Sequence, residues 1–204
     1  MRLLDQVAEP LRNFGTHKGS ALADRVAHLF DRVGLARSYL YRYPHELSGG
    51  QRQRVAIARA LALGPKLIIA DEAVSALDVS VQAQVLNLMM ELQAETGLSF
   101  LFISHDMAVV ERISHDVGVM FAGRLVEFGP RQAVFGTPQH VYTKALLRAV
   151  PVADPQQRRT GPVSQFRALP SPIYPIGDDL PPSEYTEVSA GHFVLTTDCG
   201  YREG

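Results

Sequence analysis

The 204 residues are 46% hydrophobic with a net charge of −1, enough apolar material for a real core and too little basic excess for a general binder of nucleic acid or acidic surfaces. The single cysteine, Cys199, excludes an internal disulfide and a cysteine-rich metal cluster, which suits a reducing compartment. "MRLLDQVAEP" has no apolar stretch of about 7 to 15 residues, so no cleaved signal is expected, and "KLIIA" and "LSFLFI" are strand-length runs, far short of the ~20 residues of a membrane helix. Any membrane role is expected to come through a partner.

In chain order, residues 1 to 47 read as helical pieces. "LLDQVAEPL" comes first, then "ALADRVAHLFDRVGL", with Leu22, Val26, Leu29 and Val33 on one stripe and Gly34 as the stop. "FGTHKGS" between them reads as a loop. A helix is predicted from about Gly49 to Leu63, ending at Gly64-Pro65. Ser48 is its N-cap and Gln51 completes a capping box. Two glycines in the first turn cost roughly 1 kcal/mol each against alanine, and Arg52 and Arg54 add positive charge to the positive end of the dipole. That start predicts an anion.

"KLIIADE" reads as a buried parallel strand ending in two carboxylates. "VSVQAQVLNLMMELQAETG" is a helix with Val81, Val85, Leu88 and Leu92 at helical spacing and Gly97 as its stop. "LSFLFIS" is a second buried strand, followed by a short helix in "HDMAVVERIS". Strand, helix, strand, helix predicts an α/β fold, a parallel sheet with crossover helices. "DVGVMFAGRLVEFG" reads as a hairpin turning at Ala122-Gly123, and "HVYTKALLRAV" as a closing helix. From Pro151 onward proline breaks any regular element, with "GHFVLTTD" as one edge strand.

Both parallel strands end in polar residues, Asp71-Glu72 and Ser104-His105, at the sheet edge where open parallel sheets bind ligands. A lone Asp-Glu pair has an ordinary reading as solvated loop carboxylates. The chemical reading divides the labour: Asp71 holds Mg2+ directly or through water, and Glu72 acts as general base on an attacking water. His105 can be a locally satisfied histidine at a helix start or a contact to a terminal phosphate or its water. "ISHD" occurs twice, and only His105 follows a continuous strand; His115 reads as a surface or packing residue.

Taken together these stretches resemble the C-terminal half of an ATP-binding cassette (ABC) ATPase. "LSGGQ" matches the family signature, "LIIADE" the Walker B strand, "SALD" the D-loop with Asp78, and "ISHD" the switch histidine. "RYPHELSGGQRQRVAIARAL", "DEAVSALDVSVQAQV" and "VYTKALLRAVP" are similar to the ATPases of oligopeptide, dipeptide and glutathione importers. The resemblance covers residues 1 to about 155 and implies a partial P-loop-NTPase-like sheet. It divides the chain into a partial helical subdomain at 1–47, the C-terminal part of the ATPase core at 48–150, and a proline-rich extension at 151–204.

The resemblance also implies a mechanism. ATP lies between two subunits, so Ser48, Gly49, Gly50 and Gln51 would meet, in trans, the terminal phosphate of a nucleotide held mainly by the partner. ATP and Mg2+ are the implied cofactors. The implied partners are a second ABC ATPase subunit (homo- or heterodimer), transmembrane permease subunits and, indirectly, a substrate-binding protein, with no nucleic acid; the place is the cytoplasmic face of the inner membrane. No G-x-x-x-x-G-K-[ST] phosphate loop occurs in the sequence; in "FGTHKGS" Lys18 precedes the glycine instead of following it. The family places that loop before the helical segment at the start of this chain, so a truncated product, inactive by itself, is the expectation. The tail resembles importer segments that flank several cysteines elsewhere; here they are absent, and Cys199 reads as a bystander. Alternatives are a non-enzymatic fragment that pairs with an intact ATPase, and an ABC ATPase that serves no transporter.

Overall fold

The computed structural model of the chain describes residues 1–15, 19–149 and 182–197. Lys18, Cys199 and most of the proline-rich extension lie outside the described residues. Contacts divide the chain into two compact units, Met1–Asp106 and Met107–Gly204.

In the first unit, α1 (Leu3–Asn13), α2 (Ser20–Arg32) and α3 (Gly49–Leu61) pack on one another. The stripe read from the sequence is the buried one: Leu22, Val26, Leu29 and Val33 are all in the core, joined by Phe30 and by Leu3, Val7 and Leu11 of α1. Two short 3-10 turns, Arg37–Tyr41 and Pro44–Glu46, carry the chain from α2 to α3. Strand β1 (Leu67–Asp71) then pairs in parallel with β2 (Ser99–Ile103), in register from Leu67 opposite Ser99 to Asp71 opposite Ile103. Helix α4 (Val79–Thr96) makes the crossover and ends at Gly97, whose φ of +66° is the left-handed conformation glycine adopts without strain.

The two strands differ from the expectation of burial on both faces. Leu67, Ile69, Leu101 and Ile103 are 52%, 64%, 51% and 46% exposed, and the register places all four on one face with Asp71. Among the described residues this sheet has two strands and is covered on the opposite face only, where Ala70 is buried and Ile68, Phe100 and Phe102 are partly so. An unbroken apolar run predicts a strand; it does not say which faces this chain itself covers.

The second unit is built on an antiparallel sheet. Helix α5 (Met107–Ile113) leads to β3 (Asp116–Phe121) and β4 (Arg124–Pro130). The predicted turn lies where expected: Ala122 and Gly123 have φ of +48° and +76°, as a two-residue hairpin turn matched to strand twist requires. Helices α6 (Arg131–Gly136) and α7 (Val141–Ala149) follow, then β5 (Tyr185–Ser189) and β6 (His192–Leu195). Val117, Val119, Phe121, Val126, Val134 and Leu195 form the core, with the Tyr142 ring 4.5 Å from that of Phe121.

The strand order is β3-β4-β6-β5, so "GHFVL" is an interior strand and not the edge strand the sequence suggests. The edge is β5, exposed along its whole length; with no buried face it has no apolar alternation to announce it. What seats β6 is polar. The fully buried Glu127 carboxylate accepts the backbone N–H groups of Gln139 (2.8 Å) and His140 (3.0 Å), and His192 Nε2 lies 2.7 Å from its Oε1. Gly129 makes room, because a Cβ there would come within 3.0 Å of the His192 Cα. Burial pushes the His140 imidazole below its ordinary pKa, opposed by the Glu127 carboxylate and aided by Lys144.

His192→Ala would leave one donor missing at a buried carboxylate, at a cost of roughly 1–3 kcal/mol. Chemical denaturation should show that loss, and hydrogen exchange should show early opening of residues 182–197. Unchanged stability would mean that apolar contacts alone seat the hairpin.

Candidate functional site

The site begins where the β1–β2 pairing is carried one residue past the strand. The Glu72 N–H donates to the Ile103 carbonyl at 2.9 Å, while the Glu72 carbonyl accepts from the Ser75 hydroxyl (2.9 Å) and N–H (3.2 Å). These bonds hold Glu72 at φ +46°, a left-handed conformation that costs a non-glycine residue on the order of 1 kcal/mol or more and recurs at functional positions. Its side chain meets His105 at the end of the neighbouring strand, Oε1 to Nδ1 at 3.1 Å, with both side chains more than half exposed. When the Nδ1 proton faces the carboxylate, Nε2 is the ring's acceptor. Asp71 is exposed beside them, one residue earlier on β1.

The second group lies at the start of α3. Both capping-box bonds form: Ser48 Oγ accepts the Gln51 N–H at 3.3 Å, and Gln51 Oε1 accepts the Ser48 N–H at 3.0 Å. Gln51 Nε2 also donates to the Tyr39 hydroxyl (3.3 Å), and the Arg42 guanidinium lies 4.1 Å above the Tyr39 ring. Ser48 and Gly49 are exposed and Gly50 is buried. The N–H groups of Gly49 and Gly50 are among the first four of a helix, which have no intrahelical acceptor. The excess positive charge has a partly different explanation from the one the sequence suggests: Arg54 donates to the Val33 carbonyl at 2.7 Å, closing the C-terminal end of α2. Of the two arginines, Arg52 is exposed.

Asp78 is the N-cap of α4. Its Oδ1 accepts from the Ser80 hydroxyl (2.7 Å) and the Val81 N–H (3.0 Å). The Ser80 hydroxyl foremost, then the Val81 N–H, holds its carboxyl below the ordinary 3.8. From the sequence Asp78 has only its D-loop place; an aspartate just before an apolar-periodic run is the signal that could have found the cap. Tyr39 had no such signal, being one tyrosine among several in "RSYLYRY". His115 is exposed, and its carbonyl accepts the Arg131 N–H at 2.8 Å.

Residues 3–75 match the ABC transporter family and residues 126–171 the oligopeptide/dipeptide transporter C-terminal region. The first match contains Ser48–Gln51, Asp71 and Glu72. The chain is 58% identical over 188 residues to "Glutathione import ATP-binding protein GsiA" of Salmonella choleraesuis (strain SC-B67), covering 92% of this chain and 30% of that protein. It is 55% identical over 197 residues to the protein of the same description in Escherichia coli (strain K12), covering 97% and 32%. It thus spans about a third of the length of these curated relatives. A solved structure, cbiO1 from Clostridium perfringens, part of the ABC transporter complex cbiONQ, superposes with a TM-score of 0.59 at 30% identity, covering 72% of this chain and 58% of that one. Over residues 3–75 the chain is similar to the ABC transporter ATPases, and its α/β core is a partial P-loop NTPase fold. The similarity extends to an oligopeptide/dipeptide transporter region and to proteins named for glutathione import.

The Asp78 carboxyl has its pKa depressed in the folded chain, so its contribution to stability is present above the unfolded value and is lost as pH falls through the folded one. Carboxyl-carbon NMR should place the Asp78 midpoint below 3.8, and Ser80→Ala should move it upward. An unmoved midpoint in that variant would take the hydroxyl out of the explanation.

Proposed function

We propose that the chain is the signature-bearing portion of an ATP-hydrolysing subunit that powers an importer for peptides or glutathione. The observation that carries this reading is the Glu72–His105 pair, 3.1 Å apart at the ends of adjacent parallel strands. Glu72 is the general base for the attacking water, and His105, oriented through Nδ1, offers Nε2 toward the terminal phosphate or that water. Asp71 supplies one hard oxygen for Mg2+, which is usually held by one or two carboxylates together with nucleotide phosphates. The exposed Asp71 fits such a site. Mg2+ bound with ATP would neutralise phosphate charge there. Asp78 holds the D-loop at the start of α4.

Ser48, Gly49 and Gly50, with Gln51 holding the cap, face the terminal phosphate of a nucleotide bound mainly by a second ABC ATPase subunit. The assembly adds permease subunits and, indirectly, a substrate-binding protein, at the cytoplasmic face of the inner membrane. Among the described residues no helix is long and apolar enough to cross a membrane. The similarity to glutathione-import proteins supports glutathione or peptides as cargo.

In a polypeptide that also supplies a phosphate loop, Glu72→Gln should retain nucleotide binding and lower turnover by roughly 10²-fold or more, the scale of losing a general base. His105→Ala should slow hydrolysis with the fold intact, and His115→Ala should do little. Equal losses at the two histidines would remove the orientation by Glu72 from the mechanism.

A second reading is favoured by one observation, that these 204 residues contain no G-x-x-x-x-G-K-[ST]. On this reading the chain is non-enzymatic by itself and closes over ATP held by an intact subunit, because a helix N-terminus alone contributes only about 1 kcal/mol toward an anion. ATP-dependent association with a hydrolysis-deficient intact subunit should then be measurable and should disappear in Ser48→Arg. Equal association by that variant would remove the signature from the contact.

A further inference from the structure

The signature carries two adjacent glycines, and the structure gives them different surroundings. Gly49 is exposed; a Cβ there would touch Leu77 Cδ2 at 3.2 Å, a close contact with the mobile end of a side chain. Gly50 is buried, and a Cβ there would fall deep inside the van der Waals radius of Val81 Cγ1. Val81 has little freedom to move aside. It is β-branched and stiff at χ1, and its N–H is tied to Asp78 Oδ1 at 3.0 Å. The residues against the two glycines, Leu77 and Val81, bracket Asp78 on both sides.

We infer that Gly50 is required by packing against Val81, and that Val81 is a positioning residue that seats the Asp78 turn on the signature helix of the same chain. A side chain at position 50 would push Val81 away and with it the N–H that Asp78 accepts. The turn containing Asp78 and the helix start containing Ser48 therefore form one unit: a shift of α3 displaces the start of α4. The contact itself stands without nucleotide. Only its functional consequence rests on the reading of Ser48–Gln51 as facing a phosphate.

The test is a four-member cycle in this full chain: the parent, Gly50→Ala, Val81→Ala and the double variant. With alanine at 81 the nearest atom to a new Cβ on residue 50 is the Val81 Cβ position, at an ordinary 3.7 Å. Gly50→Ala alone should lower the thermal midpoint by roughly 4 °C or more, although alanine is the better helix former. In the Val81→Ala background the same change should be neutral or raise the midpoint. The Asp78 carboxyl midpoint, read by NMR without nucleotide, should rise in Gly50→Ala and return in the double variant, a shift that a general loss of packing elsewhere would not produce. A Gly50→Ala chain that fails to fold while the double variant folds supports the inference equally. Equal losses in both backgrounds, no loss in the parent background, or a double variant that does not fold would overturn it. None of these outcomes depends on ATP, so they are distinguishable from a failure of the catalytic reading, which the Glu72 and His105 variants report.

Discussion

The site depends on a single backbone hydrogen bond, from the Glu72 N–H to the Ile103 carbonyl. It extends the parallel ladder one residue beyond β1, which brings residue 72 level with the end of β2, two residues before His105. With the Ser75 contacts it keeps Glu72 in the left-handed region, and that turn sends the carboxylate toward the imidazole. The strain is local and costs on the order of 1 kcal/mol or more. In return, two side chains 33 positions apart meet without a rigid shell around them. Both remain largely exposed.

At the other group the constraints come from three directions. The capping box fixes Ser48, Tyr39 holds Gln51 from the 3-10 turn before it, and Leu77 and Val81 close on the two glycines from the start of α4. Arg54 is withdrawn to the end of α2. A helix start that looked electrostatically misplaced is therefore mostly a packing arrangement. The remaining positive character comes from Arg52 and the unpaired N–H groups of the first turn.

These particulars explain what was legible in the sequence. Periodicity located α2 and α4 because each buries one stripe, the cap at Ser48 and the stop at Gly64-Pro65 located α3, and turn chemistry located the Ala122-Gly123 hairpin because positive φ at two positions leaves few residue choices. The capping box was readable because both partners lie within one turn. Strand β5 was not, since an exposed edge strand has no buried face to pattern. The exposure of Ile69 and Leu101 was not either, because an apolar run records a residue's suitability for burial and not the presence of a covering layer. The partners of Gly50, Arg54 and Glu127 all lie at least 12 positions away, beyond the reach of local patterning.

Two glutamate–histidine pairs in this chain show how environment separates roles that residue type leaves identical. Glu127 and His192 lie 2.7 Å apart at 0% and 1% exposure, and the carboxylate takes two backbone N–H groups besides. Their position in the core makes them a fastening, because withdrawing either leaves a buried polar group without its partner. Glu72 and His105 lie 3.1 Å apart at 56% and 74% exposure. Water can replace either partner there, so the pair adds little stability. In the sequence, "ADEA" and "LVEFG" each offer one glutamate beside apolar residues; the depth of the strand that carries it decides whether it is locked into the core or left open to solvent.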